Sequence, residues 1–211
     1  MSIGTYAQLQ TAIADHMARS DLTSYLPDLI MLAENTLNFG MKSAEYELEP
    51  LRVRDMETVS SLTPTSGVAT LPSTFLEPRR VVEEASIRRP LEYITPETAD
   101  YFYPTRSSGE ANHYTIIGSS LYMFPLTAND IEVHHYRTIP PLASNDPNWL
   151  LTKNANVYLR ASLMQAAIFV KDDSEALKQG LLLKALVAGM NASDARANTV
   201  DGGVYLHGIT P

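Results

Sequence analysis

Cysteine is absent from the 211 residues, so no disulfide framework, thiolate nucleophile or cysteine-ligated zinc can be built. Long apolar runs are absent as well: no stretch approaches the ~18 apolar residues of a membrane span. The opening MSIGTYAQLQ carries no basic region followed by an apolar one, so neither an export signal nor a membrane anchor is expected. Positive charge is scarce, with 16 Lys and Arg against 24 Asp and Glu and a net charge of −8. That balance opposes adhesion to a phosphate backbone as the main activity.

Catalytic signatures are missing too. The sequence has no G-x-S-x-G, no G-x-x-x-x-G-K and no G-x-G-x-x-G, so hydrolase-elbow, P-loop and dinucleotide readings lack their marks. The histidines His16, His113, His134, His135 and His207 include no H-E-x-x-H. His134 and His135, adjacent on an expected strand, point to opposite faces and cannot chelate one metal. Glu83-Glu84 and Asp172-Asp173 offer acid pairs, but sequence neighbours rarely converge on one substrate, and a solvated face or a helix cap is the simpler reading. Arg79-Arg80 and Arg88-Arg89 are fit to clamp a phosphate or a partner's carboxylates; with glutamates nearby, local ion pairs are expected instead. No catalytic residue, cofactor or metal site is expected.

What is present is ample core material, 45% hydrophobic and 8% aromatic, enough for one soluble domain or two small ones. Thr5 and Gln8 form a capping box, followed by Tyr6, Leu9, Ile13 and Met17 at helical spacing, which predicts a helix over 5–19. Pro27 and Asp28 suit a second helix start. Leu26, Ile30, Ala33, Leu37 and Met41 mark its face, and Gly40 weakens its end.

From about residue 50 the period shortens to two. Leu51, Val53 and Val59, then Val68–Leu71, then 78–84 and 89–94 read as short antiparallel strands. Thr95-Pro96-Glu97 starts a short helix running to Tyr101. YTIIGSSLYMFP reads as a tight hairpin, Tyr114–Ile117 with Leu121–Phe124, turning at Gly118-Ser119-Ser120, and Ile131–Thr138 extends its sheet. Its apolar character is read as core packing. Residues 152–171 carry only Lys153, Arg160 and Lys171 as charges, so they predict a helix buried on most sides. Asp172 and Glu175 cap a last helix whose inner stripe is Leu177, Leu181, Ala185, Ala188 and Ala192.

These elements imply an α+β fold. Residues 1–50 and 145–196 form a discontinuous helical bundle, 51–144 an inserted antiparallel β-rich module, and 197–211 an extended C-terminal tail. Charge is uneven across these pieces, with two basic and seven acidic side chains in 1–50 but six and five in 145–196. The tail holds a compact apolar cluster, Val204, Tyr205, Leu206 and Ile209. Ordering the last fourteen residues, 198–211, costs roughly 14–28 kcal/mol of backbone entropy. Burying four large side chains returns only about 6–12 kcal/mol, so backbone hydrogen bonds or a second surface must contribute. A partner or a neighbouring subunit is expected to supply that surface.

The ordered segments TYAQLQTAIADHMARSDLTSYLPDLIMLAENTLN, ATLPSTFLEPRRVV, RRPLEYITPE, HYTIIGSSLYMFP and PNWLLTKNANVYLRASLMQAAIFVKDD resemble the phage adaptor proteins, the head-to-tail connectors of tailed bacteriophages. The resemblance covers nearly the whole chain except the tail and rests on order and spacing, since each piece alone is a packing or turn motif. It implies a structural virion protein assembled in the host cytoplasm and placed at the head–tail interface. It further implies a ring, usually of twelve copies, bound to the portal protein and to a tail or nozzle protein. Genomic DNA would pass through its channel without sequence-specific binding, and no membrane would be involved. Related adaptors commonly send a C-terminal extension onto the portal, a role that falls here on Val204, Tyr205, Leu206 and Ile209. A small cell-wall hydrolase and a tail-completion protein stay open as alternatives.

Overall fold

The computed structural model describes residues 3–19 and 21–199, with side chains through residue 196. The described residues form an α+β fold. Its helices are α1 (Tyr6–Met17), α2 (Leu26–Phe39), α3 (Pro96–Phe102), α4 (Trp149–Phe169) and α5 (Asp173–Thr199). The strands are β1 (Met41–Lys42), β2 (Glu47–Leu48), β3 (Glu57–Leu62), β4 (Val68–Thr70), β5 (Phe75–Glu84), β6 (Arg89–Pro90), β7 (Glu92–Tyr93), β8 (His113–Ile117), β9 (Ser120–Phe124) and β10 (Asp130–Arg137). One compact unit is Met56–Thr138, and the segments before and after it make the other.

In the helical unit, α1 is capped by the Thr5 side chain, which accepts from Gln8 N at 3.3 Å. The Gln8 side chain reaches back to Gly4 N at 2.8 Å, one residue outside the usual box, while Tyr6 N–H donates to Asp146 at 2.7 Å. The helix stops at Ala18, which takes left-handed φ, so it falls short of residue 19. Helix α2 buries Leu26, Ile30, Ala33 and Leu37 as its spacing predicts. Met41 does not continue it. Gly40 sits at φ 75° and ψ −179°, a region open essentially to glycine alone, and a Cβ there would lie 2.6 Å from the Leu48 carbonyl oxygen. The chain turns instead into the β1–β2 hairpin, in which Met41 pairs with Leu48.

Helix α4 begins at Trp149, earlier than residue 152, because Asn148 caps it by accepting from Leu151 N at 3.0 Å. It buries Val157, Tyr158, Ala161, Leu163, Met164 and Ala167 and packs against α1, α2 and α5, which makes it the central helix. Asp172 caps α5, accepting from Glu175 N at 3.0 Å. The inner stripe of α5 differs from the expected one: Gln179, Gly180, Leu183 and Val187 are buried, while Leu177, Leu181, Ala185, Ala188 and Ala192 are exposed. The helix carries two apolar stripes, and spacing alone does not say which one meets α4. Gly180 lies on the buried stripe, where its missing side chain leaves room for the Tyr46 ring.

The β unit holds two four-stranded sheets, ordered β3-β10-β5-β6 and β4-β9-β8-β7. Their inner faces share one core, with Val81, Ile131 and Val133 from the first and Ala69, Tyr114, Leu121 and Met123 from the second. The β8–β9 hairpin forms with Tyr114 opposite Met123 and turns at Gly118, φ 60°. Strand β10 does not extend the hairpin sheet; it lies between β3 and β5 in the other. Alternation at Ile131, Val133 and His135 identifies a strand and its buried face, but two facing sheets offer the same inward surface. The expected strand 89–94 is split at buried Leu91. β6 pairs with β5 and β7 pairs parallel to β8, so the chain changes sheets at that residue. Leu51 and Val53 are buried without joining a ladder. Helix α3 begins as expected, with Thr95 accepting from Thr98 N, and runs one residue past Tyr101.

Candidate interaction surface

The acid pairs named from sequence do not converge. Glu83 is fully buried and accepts from Thr127 Oγ1 at 2.5 Å and Asn129 Nδ2 at 3.0 Å, whereas Glu84 lies outward, 4.0 Å from Arg88. Asp172 is occupied as the α5 cap. Arg79 pairs with Glu57, Arg88 with Glu132 and Arg89 with Glu110, so three of the four clustered arginines meet local carboxylates. His134 sits 2.8 Å from Glu132, and that hydrogen bond, followed by Arg88, holds the Glu132 carboxyl below its ordinary value. His135 is buried between Ser60 and the Tyr136 carbonyl. Its two ring nitrogens each lie 3.0 Å from a partner, Nδ1 from the Tyr136 carbonyl oxygen and Nε2 from Ser60 Oγ. Among the described residues, no group of three or more His, Asp or Glu is arranged to hold a metal ion.

Polar chemistry in the helical unit serves instead to fix two extended segments whose backbone groups have no ladder to join. On the outgoing segment, Asn191 accepts from Arg52 N at 2.9 Å and donates to the Pro50 carbonyl at 3.0 Å. Asp194 accepts from Arg54 N at 3.2 Å and Nε at 3.1 Å. On the returning segment, Ile139 N donates to Asn38 at 3.0 Å and Leu142 N to Glu34 at 2.7 Å. Glu34 also accepts from the Tyr158 hydroxyl at 2.9 Å, which in turn receives Asn148 Nδ2 at 2.6 Å. Burial pushes the Glu34 carboxyl above its ordinary 4.5. Burial, reinforced by Glu34, also pushes the Tyr158 hydroxyl up and keeps it a donor. Sequence reading missed this cluster. The available signal was Glu34 itself, an acid one helical turn from Ile30 and Leu37 on an otherwise apolar stripe.

The remaining features are surfaces. On the helical unit, Leu177, Leu181 and Leu182 are 37%, 48% and 43% exposed. Leu177 shares an open groove with Met41, Tyr46 and Ile168, and exposed Tyr25 meets exposed Phe169 with ring centroids 4.9 Å apart. Helix α2 presents Met31, Leu32 and Phe39, all exposed, Phe39 at 67%. On the β unit, Tyr93, Tyr101, Phe102 and Ile117 are exposed. Arg106 lies over the Phe124 ring at 4.7 Å, and Tyr103 stacks on the same ring with centroids 5.6 Å apart. Val204, Tyr205, Leu206 and Ile209 lie outside the described residues. Among the described residues, no helix is long and apolar enough to cross a membrane.

Among the described residues, most of the clustered arginines pair with carboxylates and the unpartnered features are exposed apolar side chains. The family model of the SU10 adaptor protein matches the chain over residues 4–203. The chain belongs to this adaptor family. The match runs through both compact units, and the family is a phage head-to-tail adaptor family. No curated protein matches the chain.

Proposed function

We propose that this adaptor acts as a closed ring of twelve copies joining the portal to the tail, with the genome passing through its channel, and that it does so without bond-making chemistry. The observation that carries the reading is the family match across residues 4–203, which takes in helical and β units together. In this reading the bundle of 1–50 and 145–196, the module of 51–144 and the extension of 197–211 are separate working parts. The extension, through Val204, Tyr205, Leu206 and Ile209, docks on the portal, while exposed apolar side chains of the other parts meet neighbouring copies and the tail. The acidic N-terminal quarter suits the channel. Asp15, Asp21, Asp28, Glu45, Glu47 and Glu49 are all exposed, and like-charge repulsion keeps duplex DNA from adhering in transit.

The test is a mass measurement of the purified chain alone and mixed with portal protein, followed by imaging of the complex. A single ring of adaptor per portal is expected. A chain that stays monomeric with portal present, or that turns over a glycan, overturns the proposal.

A further inference from the structure

Among the described residues, the outward stripe of α5 lacks a partner, and charge decides what can cover it. From Ala176 to Ala192 the only charged side chains are Lys178 and Lys184, both exposed; Lys178 also reaches Glu175 along the helix at 3.2 Å. Helix α2 is the opposite case. Between Leu26 and Phe39 it has Asp28 and Glu34 and no lysine or arginine, and with Glu34 buried its exposed face is apolar and acidic. Shapes match as well: α5 offers Ala185, Ala188 and Gly189, with open space around Gly189, and α2 offers the bulky Met31, Leu32 and Phe39. Pairing α5 with α5 would set lysines against lysines, and pairing α2 with α2 would bring together two faces whose one exposed charge is the acid Asp28, leaving the lysines without a counter-charge.

We propose that the α5 face formed by Leu177, Leu181, Leu182, Ala185 and Ala188 packs on the Met31, Leu32 and Phe39 face of α2 in the next copy of this chain. The contact joins two different surfaces, so each copy keeps one free face of each kind until the assembly closes on itself, which is how a heterologous interface generates a ring. The stripe from Leu177 to Ala192 extends about 22 Å at 1.5 Å per residue, the length of a substantial helix-on-helix contact. This inference rests on the ring reading and supplies its subunit register.

Because the chain has no cysteine, introduced pairs report directly. Leu32→Cys and Leu181→Cys are made in the full-length chain, singly and together. Both positions are exposed, and unchanged melting curves verify folding. After oxidation of assembled material, with portal present if assembly needs it, the double variant is expected to give a ladder beyond dimer, and each single variant only monomer. A separate Leu181→Glu variant is expected to keep its melting curve and to lose assembly by roughly tenfold or more. A dimer from Leu181→Cys alone overturns the proposal in favour of symmetric pairing. Rings that form normally yet leave the double variant uncrosslinked overturn it while leaving the ring reading intact. Absence of any wild-type ring, with or without portal, overturns both.

Discussion

Replacing Glu34 by alanine removes one carboxylate oxygen from two buried donors, Leu142 N at 2.7 Å and the Tyr158 hydroxyl at 2.9 Å. Glu34 is 7% exposed, so water has little access to replace it. A buried donor left unsatisfied costs about 1–3 kcal/mol, which puts Glu34→Ala near 2–6 kcal/mol, a large part of a typical domain's ~5–15 kcal/mol. Glu34→Gln keeps an acceptor oxygen at the same place and is expected to lose far less. The carboxyl's raised value adds a pH signature. Above the ordinary 4.5 the unfolded chain releases a proton that the folded chain still holds. Glu34's favourable contribution is therefore complete below 4.5 and fades as pH rises through its higher folded value. Urea unfolding of the wild type, Ala and Gln forms across pH 4–8 measures both effects. Glu34→Gln is expected to gain on the wild type as pH rises. If Glu34→Ala costs under about 1 kcal/mol, or if Gln is as damaging as Ala, the two hydrogen bonds are not what holds the returning segment and the reasoning fails.

Gly40→Ala places a Cβ against the Leu48 carbonyl in a backbone region closed to it, so a loss of about 1–3 kcal/mol or more is expected by thermal denaturation, with the helical unit melting first. The carboxyls of Asp21, Glu97, Glu132, Asp172 and Glu175 are all held below their ordinary values by hydrogen bonds; their contributions are present at neutral pH and drain away below about pH 4, which acid unfolding monitored by circular dichroism will record. Neutralising exposed Asp15, Asp28, Glu45 and Glu49 is expected to slow genome ejection in assembled particles, and unchanged ejection would remove the channel role of the acid excess. Deleting 198–211 is expected to leave a folded chain that no longer binds portal, so normal binding in a pull-down would take the portal role away from Val204, Tyr205, Leu206 and Ile209.

Elements whose identity is local were legible in the sequence. Thr5, Pro27, Thr95 and Asp172 mark helix starts because a cap needs only its own first turn, and Gly118 marks the β8–β9 hairpin because the turn is fixed by a few residues. What failed was every choice between equivalent neighbours. β10 has an apolar face that either sheet could accept, α5 has two apolar stripes, and 89–94 reads as one strand until buried Leu91 is seen carrying the chain from β5 to β8. The buried polar cluster was hidden for another reason. Asn191 and Pro50 are 141 residues apart and Glu34 and Tyr158 are 124 apart, and one sequence holds no local sign that such residues meet.

That cluster also bears on how the chain tolerates change. Closing an insertion costs entropy that grows only with the logarithm of its length, about 0.6 kcal/mol per doubling, so lengthening loops within Met56–Thr138 weighs little on the helical unit. Its integrity depends instead on the two segments where the chain leaves and returns, which lie against it without ladder partners and are held by Asn191, Asp194, Asn38 and Glu34. Variation in the module's loops is thus thermodynamically cheap, and variation at those four side chains is expensive. Family members are therefore expected to diverge in their β loops and to hold Glu34, Asn38, Asn191 and Asp194 constant, which an alignment of the family would check.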